Sequence, residues 1–573
     1  MAISEYEITD WVKHLESLHG QRIREQETDQ SFYDDTYKIP IVEDERYVIR
    51  SGFVSGMVNS IVQQAIAFVP KVYTEAKGKT TQSGADNVAR LCNKWAKKIS
   101  KQAMNPFRET FKSLIGTRGE AWIYIPHNDW LTNYEGDWRE EYNDVLPVHF
   151  LRYDPMVVFH DPSEDIDGRP QRVAVKYKRT VADIKSVYPY WSEGSHKLTD
   201  KVDFCYYVDS ELMYAMADGH PLFTDVEGNL VNGDGMRSNF YGCVPFVHKY
   251  SGYGSESSNG EPSSLAFSRT RMIRDRVMED SSMATDFRYN QHELAWKIKT
   301  IFLPQGTELP DDYLHNYRRS PNTINVVMMP QGGEMKVEET QAFGADAYAY
   351  RNQVRSELNA EHPFALRGVA SGESGRQEDI MGSAAMSMYD TPIEACASLW
   401  AEAFDTAIKM CGIKDDLFNI RPKGLSEKDC RSYEELTVDI KRQDPTDLSR
   451  RAAEGDRRYS QGIIDLDELY INYMGKTKDE AMKLKARVWI EMAMKNDPSF
   501  MQMIIQTAAE ELGAEEKLNQ IRGQIQGAAA GMNPSVDYGS QGGEPRLGNF
   551  QSPTGIEMAD VATRKEGRLP PMG

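Results

Sequence analysis

The sequence predicts an α+β chain, mainly helical. Apolar stripes at helical spacing open and close it. Between them, from Ala121 to Val208, lie short runs rich in aromatic and β-branched residues, separated by Asp/Gly/Pro clusters. Hydrophobic residues make up 40% of the 573 positions, enough to build real cores, and this length suggests roughly three to five domain-sized units.

The elements follow in order. Ser4-x-x-Glu7 is a capping box that opens a helix carrying Ile8, Trp11, Leu15 and Leu18. Val54, Met57, Val58, Ile61, Val62, Ala65 and Phe68 form a second stripe, ended by Pro70, and Val88, Leu91, Trp95 and Ile99 a third. Asn105-Pro106, a cap with a first-turn proline, opens a fourth helix with Phe107, Phe111, Leu114 and Ile115. Strands are expected at Ala121–Ile125, Val145–Arg152, Met156–His160, Arg172–Arg179 and Lys201–Val208, in a mixed α/β unit ending near Tyr250. Tyr250–Pro262 is Gly/Ser-rich and reads as a loop.

A long helix is expected from Ser263 to about Arg288, carrying Arg269, Arg271, Arg274 and Arg276. Two β-like stretches follow, Trp296–Leu303 and Thr323–Met329, and then a second long helix, Gly344–Glu361, stopped by Pro363. Arg367–Asp379 is a small, polar, Gly-rich loop. The stripe from Ile380 to Cys411 contains Pro392, so it is one kinked helix or two helices joined at Thr391, with Gly412 as its cap. The last third reads as a helical group with starts at Asp444-Pro445, Asp465, Thr477 and Asp497-Pro498. Gly523–Gly573, with ten glycines and five prolines, reads as a disordered tail.

Composition excludes several classes. Lys+Arg at 67 against Asp+Glu at 87 gives a net charge of −20, which argues against a protein that grips nucleic acid over its whole surface. No apolar run approaches the ~18 residues of a membrane span, and the first residues lack an apolar signal core. The six cysteines form no CxxC and read as reduced, mostly buried thiols.

Familiar chemistry motifs fail. Gly475-Lys476-Thr477 and Gly78-Lys79-Thr80 have tyrosines, Tyr470 and Tyr73, where a phosphate-binding loop needs glycine. His292-Glu293 has Trp296 in place of the second zinc ligand. Ser163-x-Asp165-x-Asp167-Gly168 ends on Ala174 where calcium needs a bidentate Glu, so a turn is expected. Gly372-Glu373-Ser374-Gly375 is not a nucleophile elbow. No catalytic residue, cofactor site or metal site is assigned. Two features remain: the pair of long helices flanking a β-containing excursion, and the glycine loop after the second. The arginine-rich helix is either a DNA-binding face or a solvated or inter-subunit face with acidic partners. The second reading is the default for a charge run, with Asp275, Glu279 and Asp280 nearby.

That order of elements resembles the portal protein of tailed double-stranded DNA bacteriophages. The local text that carries it is Asn105–Ile125, Arg152–Asp161, Gly242–His248 and Gly368–Ala385, and the likeness covers about 30–520. The resemblance implies a portal architecture assembling as a ring, usually of twelve subunits, at one capsid vertex, in a virion assembled in the host cytoplasm. It implies a wing at 1–262, a first stem helix at 263–290, a clip at 291–341 and a second stem helix at 342–362. A tunnel loop would follow at 363–378, with Arg367, Gly368, Ser371, Gly372, Ser374, Gly375 and Arg376. The long kinked wing helix and return strand would occupy 379–440 and the helical crown 441–522, with the tail at 523–573. Implied partners are other copies of the chain, terminase, the major capsid protein, tail adaptor proteins and the double-stranded DNA in transit, with no membrane. The competing classes are another ring-forming virion protein, such as a collar or tail-tube component, and a packaging ATPase, which lacks its phosphate loop here.

Overall fold

The computed structural model describes residues 4–39, 48–132, 138–141, 145–295 (except 167, 193, 226 and 257–259), 299–304, 324–329, 343–362, 384–413, 421–440, 445–474, 476 and 481–488. The described chain is α+β and mainly helical. Met1–Lys483 forms one compact unit. Leu484–Gly573 forms a second, of which only 484–488 are described, as helix.

Helix α1, Glu5–Tyr33, starts at the expected box: the Ser4 hydroxyl accepts from the Glu7 amide while the Glu7 carboxylate accepts from the Ser4 amide. It runs well past Leu18 because its inner face continues in polar residues. Ile8, Val12 and Leu15 are buried, and so are His19, Arg22, Gln26, Asp29 and Phe32 on the same face. Helix α2, Phe53–Ala65, buries its apolar stripe but ends before Phe68, which is exposed. Strand β1 (Lys71–Ala76) leads to α3 (Gln82–Ile99). Asn105 then caps α4 (Pro106–Lys112), as its sequence predicts, and α4 continues into a π turn, Ser113–Thr117.

The strands between 120 and 250 build two antiparallel sheets. β2 (Glu120–Tyr124), β3 (Leu151–Tyr153) and β10 (Phe246–Tyr250) form a three-stranded sheet with β2 central. β4 (Val158–Phe159), β5 (Arg172–Thr180), β6 (Lys201–Asp209), β7 (Leu212–Ala217) and β8 (His220–Pro221) form the larger one. β9 (Met236–Ser238) pairs with β7 beside β8. The strand expected over Val145–Arg152 is confined to its end, because Val148 makes only an isolated bridge with His127. The expected strand Met156–His160 loses its start to a 3-10 turn capped by Asp154. The acidic loop at Ser163 is a turn, as expected, capped by Asp161. A short helix, α5 (Val181–Val187), packs its Val181 and Ile184 with Trp191 against one face of the large sheet, at Val202 and Phe204, while Ile8, Val12 and Leu15 of α1 cover Phe159, Ala174, Tyr207 and Tyr214.

The expected helix from Ser263 breaks. A turn at Pro262–Leu265 is followed by a bend, and α6 begins at Arg269 and runs to Ala295, seven residues beyond Arg288. β11 (Lys299–Pro304) and β12 (Ile324–Met329) pair with each other in parallel, Lys299 opposite Ile324 through Pro304 opposite Met329. The two strands thus form a pair within the chain. The intervening 305–323 is long enough for the crossover that parallel strands require. Helix α7, Ala345–Glu361, returns antiparallel along α6.

Pro392 does not kink a long helix. A 3-10 turn, Ser387–Tyr389, precedes α8, Asp390–Cys411, and Pro392 falls in the first turn, where the missing amide has no helical acceptor to lose. Helix α8 is the axis of the main core. Cys396, Leu399, Trp400, Ala403, Phe404, Ala407 and Ile408 are fully buried, and the Trp400 ring centroid lies 4.3 Å from that of Phe107. Burying each large side chain of this kind stabilises by about 1.5–3 kcal/mol. Strand β13, Tyr433–Asp439, then pairs antiparallel with β1, joining residues more than 350 positions apart in sequence. Helix α9, Pro445–Ser460, closed by Gly462 at φ +71°, and a short helical turn at Leu466–Glu468 capped by Asp465 complete the unit. The helix starts expected at Thr477 and Asp497, and the tail from Gly523, lie outside the described residues.

Five of the six cysteines are buried and none is disulfide-bonded. Burial pushes the Cys205 thiol up to about 12 and the Cys430 thiol up to about 11, so both stay protonated.

Candidate functional site

The candidate site is the helical pair α6/α7 and its root. The root is tight because Gly119 allows it. At φ +72° this glycine accepts a backbone that most residues avoid, and a Cβ there would lie 2.5 Å from the Phe267 amide nitrogen. The Ser251 amide donates to the Gly119 carbonyl, 2.8 Å, and the Ser251 hydroxyl donates to the Phe267 carbonyl, 2.6 Å. The bend at 266–268 is thus clamped to the three-stranded sheet just before α6 starts.

The four arginines near the start of α6 all find carboxylates inside the chain. Arg274 reaches Glu25 at 2.7 Å and Asp29 at 3.2 Å on α1. Arg271 lies 3.6 Å from Asp29 and donates to the Ser263 carbonyl. On the other side Arg269 pairs with Glu361 of α7, and Arg276 lies 3.4 Å from both Glu357 and Glu361. Two arginines of α7 answer in kind: Arg351 and Arg355 both donate to Asp280 of α6, at 3.2 and 3.1 Å. The two helices together carry seven Lys/Arg against eight Asp/Glu, so the pair is close to neutral. Its apolar contact is thin, with only Val354 and Leu358 of α7 buried. Near the far end, Phe287 stacks on Tyr348 with centroids 4.7 Å apart.

A second ensemble lies behind the root. Glu120, the first residue of β2, is fully buried and accepts from Arg22, from Gln26 at 2.7 Å and from His248 at 2.9 Å. Arg22 also donates to the Val158 carbonyl and Gln26 to the Arg118 carbonyl, while His19 donates to the His160 carbonyl at 2.6 Å. Burial raises the Glu120 carboxyl, but the Arg22 charge and the His248 hydrogen bond outweigh it and hold the group well below the usual carboxylate range. Burial pushes His248 down to about 4 and His19 down to about 2, so both are neutral. Burial also lifts Asp29 above its ordinary value, against the pull of Ser268, Arg271 and Arg274. Buried on all sides, the cluster fixes α1 across both sheets and the root.

The sequence reading missed His19, Arg22, Gln26 and Asp29. Their signal was the strict four-three spacing that continues from Ile8, Val12 and Leu15. Arg269, Arg271, Arg274 and Arg276 are gathered at the root, each facing carboxylates of its own chain. Arg367, Gly368, Ser371, Gly372, Ser374, Gly375 and Arg376 lie outside the described residues. Among the described residues no group of three or more His, Cys, Asp or Glu could hold a metal ion, and no helix is long and apolar enough to cross a membrane.

No protein-family model matches the chain, and no curated protein matches it. The functional reading therefore rests on the order of the elements and on the charge pairing of α6 and α7.

Proposed function

We propose that this chain is the portal protein of a tailed double-stranded DNA bacteriophage: a structural subunit rather than an enzyme, closing with other copies into a ring at one capsid vertex through which the genome enters and leaves. The observation that carries the reading is the order of elements. An α+β body leads to a long helix, a small strand pair and an antiparallel returning helix. A long core helix and a strand that rejoins the first sheet follow.

The charge pairing supports the same reading. Duplex DNA carries one negative charge per ~1.7 Å of axis, and unpaired arginines along a channel would hold it by releasing its counterions. Here the arginines of α6 answer carboxylates of their own chain, so a wall built from the pair has little to release. At 1.5 Å per residue, α6 extends about 40 Å, a length suited to a conduit wall. In this reading 291–341 takes terminase and later the tail adaptors. The parallel pair β11/β12 has two strands and so two outer edges, to which further strands can add. Residues 363–378 touch the passing phosphates through Arg367 and Arg376, 441–522 face the capsid interior, and the wing meets the major capsid protein.

Imaging the purified full-length protein by negative stain, with its mass measured in parallel, tests the proposal. A ring of many subunits, twelve in the family, with a central opening is expected. A monomer at every concentration, or an assembly without a hole, rejects it. Alanine at both Arg367 and Arg376 should leave the ring intact and change packaging or DNA retention, and unchanged packaging removes the loop from the mechanism.

A further inference from the structure

The ribbon of β1 and β13 has two edges, and the chain treats them differently. The outer edge of β1 is closed by a side chain of α3. The Val72 amide donates to Asn93 Oδ1, 3.0 Å, and Asn93 Nδ2 donates to the Val72 carbonyl, 2.8 Å. Asn93 does there what a further strand would do. It also fixes the phase of the pairing. In an antiparallel pair, residues opposite each other either bond to one another or both point away. Val72 points away, so Val438 opposite it points away on the far side. Two positions along, Leu436 opposite Thr74 does the same.

That far edge runs along a cleft. The cleft, of about 710 Å³, is lined by every residue from Tyr433 to Val438 and, across from them, by Ala397, Ala401, Glu402 and Asp405 of α8. Leu436 and Val438 turn buried side chains to one face of β13, and Glu435 and Thr437 turn exposed ones to the other. A space that touches both sets lies along the strand's edge. Among the described residues no hydrogen bond reaches the amides and carbonyls of Leu436 and Val438. The edge is about 20 Å long.

The two carboxylates of α8 in this cleft differ. Asp405 is saturated: Arg169 donates to it at 3.0 Å and Tyr433 at 2.9 Å, and Lys409 lies at 2.7 Å. Glu402 is held through Oε1 by Lys249 of β10, 2.6 Å, while its Oε2 is buried and takes no hydrogen bond from the described residues. A buried charged acceptor is costly to leave without a donor. Lys77 and Arg431 stand at the Tyr433 end, where Arg431 pairs with Glu427 at 2.9 Å. The strand itself carries Glu434, Glu435 and Asp439 and no cation.

We infer that this edge receives an extended basic segment of a partner protein, added beside β13 as a third strand, with a lysine or arginine reaching Glu402 Oε2. Backbone bonds to Leu436 and Val438 supply affinity, and the carboxylates select the side chains. The same carboxylates turn acidic strands away, which is how an open edge is kept from pairing at random. The inference does not depend on the chain forming a ring.

The probe is a labelled eight-residue peptide of alternating lysine and valine, titrated with the full-length protein by fluorescence anisotropy. A second peptide has the same sequence with its inner amides N-methylated, which keeps the charge and removes the strand pairing. The plain peptide should bind at least about tenfold more tightly than the methylated one. Glu402→Gln should weaken it about tenfold, and Glu27→Gln, at an exposed carboxylate of α1, should not. Val438→Pro removes one outward amide while sparing the bonds to β1, and should also weaken it. Equal affinity for the two peptides overturns the inference, because charge alone would then hold them. So do equal losses for the two glutamine variants, or no binding at about 1 mM peptide. Should Val438→Pro fail to fold, hydrogen exchange of the wild-type protein decides. The Leu436 and Val438 amides should exchange readily alone and slow when the peptide binds. Protection already present without peptide means that the chain covers this edge itself, and overturns the assignment.

Discussion

The ensemble around Glu120 and the ladder between α6 and α7 use the same chemistry, arginine against carboxylate, in opposite surroundings. At Glu120 both partners are wholly removed from water. Between the helices, Arg276 and Glu357 each keep close to half of their exposure. The first cannot lose a partner without leaving a charge stranded in the interior; the second can exchange partners with solvent at little cost. The body of the protein is therefore locked by its charges, whereas the outer rung of the helical pair, Arg276 with Glu357, is only aligned by them; Asp280, buried between Arg351 and Arg355, belongs with the locked kind.

The largest effect should come from breaking the lock. Arg22→Met leaves Glu120 buried without its charge partner and is expected to cost about 3–5 kcal/mol in a denaturant melt. A loss below 1 kcal/mol would mean that the cluster is not sealed. Next comes the apolar seam of the pair, whose Val354 and Leu358 belong to the main core: Leu358→Ala should cost about 2–5 kcal/mol in the same melt, and a loss below 1 kcal/mol would show the seam to be independent of that core.

Acid should reach the lock. The histidine values of His19 and His248 are depressed in the fold, so the unfolded chain takes up their protons first. Stability then falls as pH drops from about 6.5 toward about 4 for His248 and toward about 2 for His19. Each contributes a slope of about 1.4 kcal/mol per pH unit across its window. Glu120, also depressed, adds loss in the same direction below its ordinary range, while the raised Asp29 opposes it there. Calorimetry at pH 7.5, 6 and 5 should show a steady fall in melting temperature that His248→Gln reduces. The smallest effect belongs to the exposed rungs: Arg276→Ala should shift stability by no more than about 0.5 kcal/mol.

The same contrast explains what could be read from the letters alone. Local signals served well. Ser4-x-x-Glu7 and Asn105-Pro106 name their own helix starts because both halves of each cap lie within a few residues. Pro392 left a kinked helix and two joined helices both open, because a proline marks a kink or a first turn equally, and the 3-10 turn at 387–389 decides for a fresh helix start at Asp390. The run beyond Leu18 was missed because hydrophobic periodicity does not register His19, Arg22 and Gln26, whose partners Glu120 and His160 come from strands and turns a hundred residues away. The arginines of α6 were noticed, but their sign says nothing about direction. Only the fold reveals that Asp29 and Glu361 stand on either side of them.

Gly119 sets a limit on how this chain can drift. The foot of a 27-residue helix rests on a spot with no room for a single methyl group, so even the smallest replacement there must push the foot sideways, and the far end of so long an arm swings several times as far. In a saturation library sorted for soluble, folded product, position 119 should come back as glycine almost alone. Free variation at that codon would show that the foot has another place to stand.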